Sequence, residues 1–397
     1  MSDTLQPNKK TLGVLAASHF SQHLWVGTAV LNPYIRADLG LSYAELGAAR
    51  GISNIVSGFL QIAYSIMSRY IPRRILLAFG NSFYSVATIM MSFASRFYDL
   101  ALANLLGGIG SAAQHPVSVS ILADRFEKEE VSGALGIFYG LGYLGNIIGP
   151  LILTSIAVQY GWRNSLLVLS ILPMAIAIGL ILLLKGADKP TLKEEGRSES
   201  NLLADVKSAL KNRSARLTIA AQAFISGGTG QGVIVTYTPL FLQDGLGLGS
   251  IMTSILYSVT MAGGVLGTLA VSKFADRIGP LKAAIISTTI ASAGVLALGF
   301  QESYGYLLIL NLLIVGLFAF PTSNLLQSHI SSISKPAERD LLIGLFFTVG
   351  FGVSSVWSTL LGFTIDLFGS FRPLWTLMAG LSGIAILLQL WAYRLNK

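Results

Sequence analysis

The chain has 397 residues, 53% hydrophobic and only 12% charged, with a formal net charge of +8 and no cysteine. A soluble domain carries about 25% charged residues, so a dissolved globular protein is excluded, and the absence of cysteine rules out a disulfide framework or a thiolate metal site. The positive charge follows topology along the chain and points to neither a nucleic acid nor another acidic partner.

In chain order, the first ten residues are polar and the next apolar run is long enough to cross a bilayer, so no cleavable leader is expected. Spans are expected at about 11–35, 44–68, 74–94, 98–123, 132–158 and 163–184, then at about 217–242, 250–272, 281–299, 304–327, 341–365 and 371–393. The expected fold is therefore an all-α membrane protein of twelve transmembrane helices. One sustained polar stretch separates the two groups, mixing Lys189, Lys193, Arg197 and Lys207 with Glu194, Glu195, Glu199 and Asp205. It divides the chain into an N-terminal six-helix bundle (1–184), a cytoplasmic linker (185–216) and a C-terminal six-helix bundle (217–397). Within the linker, Asn201 to Leu210 has the composition of a short amphipathic surface helix. Of the 27 Lys and Arg, only Arg36, Arg50, Arg96, Arg163 and Arg372 fall on the side opposite the termini. Positive charge marks the cytoplasmic face, so a multi-pass protein of the cell (inner) membrane with both termini inside is expected.

The chain also repeats itself. GIFYGLGYLGNIIGPLI from Gly136 aligns with GLFFTVGFGVSSVWSTL from Gly344, pairing Phe138 with Phe346, Gly142 with Gly350 and, further on, Gly161 with Gly369. The same offset of 208 residues pairs Arg69 with Arg277. Duplicated six-helix halves form two pseudo-symmetric bundles, with a solute site expected between them near mid-membrane.

The loop after the eighth span reads GTLAVSKFADRIGPLK from Gly267. At Gly267, Asp276, Arg277 and Gly279, followed by Lys282, it resembles the signature loop of the major facilitator superfamily. The resemblance implies the major facilitator fold and a conformational latch, in which an acid at a helix end pairs with Arg and with the positive N-terminus of another helix. The first-half counterpart, SRYIPRR from Ser68, keeps Arg69, Arg73 and Arg74 but has Ser68 for the acid and Ile71 for the glycine, so a weaker latch is expected there. Gly136, Gly145, Gly149 and Pro150 in the fifth span resemble the helix-packing pattern of antiporter members, although Leu153 and Thr154 replace its further glycine pair. In the fourth span Asn104 stands where the family often has an arginine linked to proton coupling, and Gln114, His115 and Pro116 resemble the fosmidomycin-resistance branch.

Charge inside hydrocarbon costs about 2.5 to 3.5 kcal/mol at a helix centre, so polar residues within spans are site candidates. No Asp or Glu lies near the middle of a span, whereas His19, His23 and His115 do. His19 and His23 sit one turn apart on one face. Arg50, Asn54, Ser57 and Gln61 make a stripe on the second span, and Asn104, Gly108, Ser111 and His115 another on the fourth. Gln222 and Tyr237 in the seventh span, Asn311 in the tenth and Trp357 in the eleventh are further solute-binding candidates. Each can equally be satisfied by a neighbouring helix and fix packing alone. Because histidine titrates near neutrality, His19, His23 and His115 are also the proton-coupling candidates.

A pocket lined by these residues is cationic or neutral. That favours a small organic anion moved by secondary active transport through alternating access, in efflux or exchange, with a proton or an exchanging anion as partner and a monomer as the working form. Proton-coupled symport or uniport of a carboxylate or sugar nutrient is the alternative. A membrane-embedded enzyme is the remote one, because no mid-membrane acid or zinc-type His-Glu-x-x-His helix is present. Neither cofactor nor metal is expected.

Overall fold

Inside hydrocarbon a backbone must satisfy its own hydrogen bonds, and a single segment can do so only as a helix. The computed structural model describes residues 2–68, 70–127, 130–185 and 211–395, with the side chains at 2–7, 132, 336–337 and 340 left aside. Among them every regular element is helical. The first half comprises α1 (Ser2–Gly27), a 3-10 turn (Thr28–Leu31), α2 (Asn32–Leu39), α3 (Tyr43–Met67), α4 (Arg73–Ser92), α5 (Phe97–Arg125), α6 (Val131–Tyr160) and α7 (Trp162–Leu183). The second comprises α8 (Arg213–Gly228), α9 (Gln231–Leu240), a π turn (Phe241–Gly245), α10 (Ser250–Ile278), α11 (Pro280–Leu298), α12 (Tyr306–Ile333), α13 (Pro336–Phe368) and α14 (Arg372–Leu395).

Taking α1 with α2 and α8 with α9 as broken crossings gives the twelve helices of the expected all-α fold. The first and seventh were expected to be unbroken. Glycine explains the difference: α1 stops at Gly27, with Pro33 opening α2, and α8 stops at Gly228, with Gly230 preceding α9. Glycine weakens a helix interior, and proline costs no backbone hydrogen bond only in the first turn of a helix. Helix ends also run past the expected spans, α10 to Ile278 and α12 to Ile333, because an apolar window finds the lipid-embedded part while hydrogen bonding continues beyond it. Eight helices, α4, α6, α7 and α10 to α14, are long and apolar enough to cross a membrane by length and composition. The four remaining crossings, α1–α2, α3, α5 and α8–α9, carry His19, His23, Arg50, Asn54, His115, Gln222 and Tyr237.

Packing divides the described residues into two units, one with residues up to 41 and 52–185, the other with 42–51 and 211–395. The first two turns of α3 thus pack with the second half of the chain. Most of the expected linker, with its surface helix, lies outside the described residues. Each unit has its own apolar core: Phe138 is buried in the first, beside Leu15, Leu77 and Ile121, and Phe346 in the second, beside Ile225, Leu326 and Ala385.

The duplication recurs as equivalent internal contacts. In the first unit a Cβ on Gly142 of α6 would fall inside the His19 ring of α1; in the second, one on Gly350 of α13 would meet Gln222 of α8. Gly108 of α5 lies against the Ser53 carbonyl, as Gly316 of α12 lies against that of Thr260. The stacked pair Tyr139 and Tyr143, at 6.0 Å, is matched by Phe347 and Phe351, also at 6.0 Å. At one mouth of the first unit Arg163 donates to the Ser92 and Ala94 carbonyls at 2.8 and 2.7 Å, and Arg372 of the second donates to that of Gly299 at 3.1 Å. Along the first and seventh crossings the offset falls to 203, pairing His19 with Gln222, His23 with Ser226 and Gly27 with Gly230.

Glycine spacing sets the closeness of α1 to α6. Gly142→Ala should lower the unfolding midpoint of the purified protein by several degrees, consistent with about 1 to 3 kcal/mol of overpacking. Gly136→Ala, which meets open space, should leave it unchanged; equal effects at both positions would contradict the packing described.

Candidate functional site

Three histidines from two helices converge in the first unit. His19 and His23 present one face of α1 toward α6, and His115 comes from α5 beside Pro116, which interrupts that helix's hydrogen-bond ladder. His19 is stacked on Phe138 at 4.3 Å between ring centres and stands 5.1 Å from His115. Its Nδ1 lies 3.1 Å from the Phe138 carbonyl, and its Nε2 lies 3.1 Å from Nε2 of His23. Nδ1 of His23 reaches Oδ1 of Asn146 at 3.0 Å. Tyr143 packs edge-on to His23 at 4.8 Å, and Tyr139 lies parallel to His115 at 6.0 Å. His19, His23 and Asn146 are buried, and His115 is half-buried.

Sequence reasoning named the three histidines but missed Tyr139, Tyr143 and Asn146. Their spacing of four and three residues along the fifth crossing, which puts them on one helix face, is the signal the sequence carries. The glycines serve that same face. Gly145 lies against the Phe20 carbonyl and Gly149 against Leu24, whereas Gly136 is exposed. A second network backs α1 on its other side: Asn81 donates to Ser18, Ser18 to Gln114, and Gln114 to Ser118, at 2.8, 2.8 and 3.3 Å. Gln22 donates to Ser111 at 3.1 Å. The α5 stripe therefore splits, with Ser111 and His115 meeting α1 while Gly108 meets α3 and Asn104 donates to the Leu100 carbonyl of its own helix.

In the second unit Arg50, half-buried near the start of α3, interacts electrostatically with Tyr257 of α10. The Tyr257 hydroxyl is buried and lacks a hydrogen-bond partner among the described residues. Gln222 donates to Ser323 at 3.1 Å, and Trp357 donates to the Ala223 carbonyl at 2.9 Å over Gly227. Tyr237 is fully buried, its hydroxyl donating to the Ser358 carbonyl. Asn311 faces Gly294 of α11. Asn54, in the first unit, is half-buried. Tyr237 and Trp357 thus spend their polar atoms tying helices together.

Among the latch residues, Gly279 adopts a positive φ of 87° that favours glycine and ends α10, leaving Asp276 and Arg277 exposed in its last turn. Gly267 packs against the Leu317 carbonyl of α12. Arg73 pairs with Asp124 at the end of α5, 2.5 Å away, and Arg69 lies outside the described residues. A different carboxylate works at a helix start. Asp366, near the end of α13, accepts the backbone N–H groups of Tyr43 and Ala44, each at 2.9 Å, and the Tyr43 hydroxyl donates to Asp244 at 3.1 Å.

Twelve crossings, an internal duplication and buried polar side chains on the four least apolar crossings define a multi-pass membrane protein. The chain belongs to the Major Facilitator Superfamily, whose sequence profile matches residues 14–359. It is 29% identical over 161 residues to the probable L-galactonate transporter of Escherichia coli, covering 40% of this chain and 35% of that protein. It is 23% identical to the probable sulfoacetate transporter SauU of Cupriavidus necator, over 70% of this chain and 67% of that protein. The alignment thus spans about a third of the first relative and two thirds of the second. The fold is similar to that of a point mutant of the nucleoside transporter NupG, with a TM-score of 0.86 at 14% identity, covering 96% of this chain and all of that one.

The two bonds to Asp366 close otherwise orphaned donors at the start of α3. Asp366→Asn can accept from only one of them through its oxygen. Hydrogen–deuterium exchange at residues 43–46 should then rise severalfold while mid-α13 stays protected; unchanged exchange would show that the carboxylate does not hold this turn.

Proposed function

We propose that this protein is a secondary active transporter that moves a small organic anion by alternating access. The observation that carries the reading is the distribution of charge. Arg50 and three histidines lie within crossings, while the acidic residues of the described helices sit close to helix ends. Arg50 lies within electrostatic range of Tyr257, whose buried hydroxyl has no hydrogen-bond partner among the described residues. A carboxylate or sulfonate accepts from both, and a charge-assisted bond to Arg is among the strongest available to it. The names of the two relatives, an L-galactonate and a sulfoacetate transporter, are those of anion carriers, which supports the same class. The resemblance of Gly136, Gly145, Gly149 and Pro150 to the pattern of antiporter members supports efflux or exchange over uptake by symport or uniport. Asp276 and Arg277 act as the latch on the cytoplasmic face of the inner membrane, with both termini on that side and a monomer as the working unit.

Ligand that binds only the native state stabilises it, by about 2.7 kcal/mol at a hundredfold excess over Kd. A library of small carboxylates and sulfonates should therefore contain members that raise the unfolding midpoint by several degrees and drive counterflow in proteoliposomes. Arg50→Ala should abolish both responses. Stabilisation by cations alone, or by anions equally well without Arg50, would overturn the anion reading.

A further inference from the structure

The hydrogen-bond polarity of the histidine pair sets a constraint that two neutral rings meet only if the amide of Asn146 turns its nitrogen toward His23. The Phe138 carbonyl only accepts, so Nδ1 of His19 carries a hydrogen. If His19 is neutral, its Nε2 is bare and accepts from Nε2–H of His23. A neutral His23 then has a bare Nδ1, which needs a donor, yet it faces the oxygen of Asn146. Two arrangements resolve the chain. Either the Asn146 amide turns over and its nitrogen donates, or one additional proton makes the pair a cation that donates to Phe138 and to Asn146 while sharing the hydrogen between the two Nε2 atoms. The two arrangements share the same ring positions and differ by one proton and the orientation of the Asn146 amide.

The geometry points to His19 and His23 as a site for one proton, with the amide of Asn146 turning as that proton arrives and leaves. This assignment rests on the transport reading for its use, and it names the coupling ion as a single proton bound in the first unit. The duplication supplies an internal control. At the equivalent places the second unit has Gln222, Ser226, Ser323, Phe347, Phe351 and Ser354 where the first has His19, His23, His115, Tyr139, Tyr143 and Asn146. The contact of α8 with α13 forms there without an ionisable group at these places, so packing of that helix pair alone does not call for imidazoles; the buried histidine of α12, His329, bonds Ser214 near the start of α8 instead. The titratable neighbours of the pair are His115 from α5 and Tyr139 and Tyr143 from α6. Tyr84 of α4 faces Trp25 further along α1, and α7, which also packs on α1, has no ionisable residue between Arg163 and Lys185. No carboxylate among the described residues pairs with the two rings, so an added proton changes the charge of the cluster outright. That change falls on α1 and α6, which the Gly142 and Gly145 contacts hold together.

The test is a titration of the full-length protein in lipid nanodiscs, without solute, following ring nitrogen-15 signals of labelled histidine from about pH 8 to about pH 4. His19 and His23 should titrate in one step that takes up one proton between them. Asn146→Asp, nearly the same shape, should hold that proton about tenfold more tightly or better, and Asn146→Leu should lose it by a similar factor. Two independent steps, or indifference to both Asn146 substitutions, would overturn the assignment. His19→Gln and His23→Gln should each abolish the uptake; if either fails to fold, the Asn146 pair still decides. Anion counterflow in the wild type is scored separately. Its absence alongside a one-proton titration would sink the transport reading and leave the proton site standing, whereas counterflow with two separate histidine titrations would do the reverse.

Discussion

Where α1 meets α6, and where α8 meets α13, the helices come close enough that glycine on one admits a side chain from the other. Hydrocarbon offers no hydrophobic reward for pressing two helices together, so association depends on close packing and on polar groups that find partners across the contact. Gly142, Gly145 and Gly149 provide that approach in the first unit, and Gly227 and Gly350 in the second. The polar chemistry follows from it. With a larger residue at 142, His19 could not stack on Phe138 while reaching both the Phe138 carbonyl and His23.

The repeat shows how freely the two units exchange large for small while keeping the contact. Leu24 of α1 fills the space at Gly149 of α6, whereas in the second unit the bulk sits on α13 as Trp357 and the space on α8 at Gly227. Each solution buries its interface, and neither fixes what the surrounding polar residues must be. Chemistry could therefore diverge between units whose backbones remained equivalent, giving imidazoles and phenols in one and hydroxyls, an amide and phenyl rings in the other.

Much of the fold was legible from the chain because a bilayer leaves few choices. Apolar runs of spanning length, positive loops on one side and a repeat at fixed offset each report on that constraint. The breaks after Gly27 and before Gly230 were less legible, since glycine is common in membrane helices and only tertiary contact decides which glycine ends one. At the site, His19, His23 and His115 stood out because ionisable groups in hydrocarbon are costly. Asn146 did not, because a lone amide on an apolar helix reads like ordinary packing; its meaning lies in the ring it faces, which belongs to a helix more than a hundred residues away in sequence. Tyr237 and Trp357 show the opposite case: polar aromatic residues that looked available to a solute spend their donors on the backbone of neighbouring helices.

Charge placement links these levels. Carboxylates sit at helix ends: Asp366 accepts the first N–H groups of α3, where the helix dipole favours it, while Asp124 pairs with Arg73 and Asp38 with Arg163. Away from the ends of the described crossings no carboxylate is found, and Arg50, His19, His23 and His115 are cationic or can become so. A permanent cation such as Arg50 suits recognition of an anion, because its charge does not change over the physiological range. An imidazole pair suits coupling for the opposite reason, since its charge is conditional and its neighbours must rearrange when it changes. In the proposed anion transporter the two requirements would conflict at one residue, and the proposal divides them between separate residues.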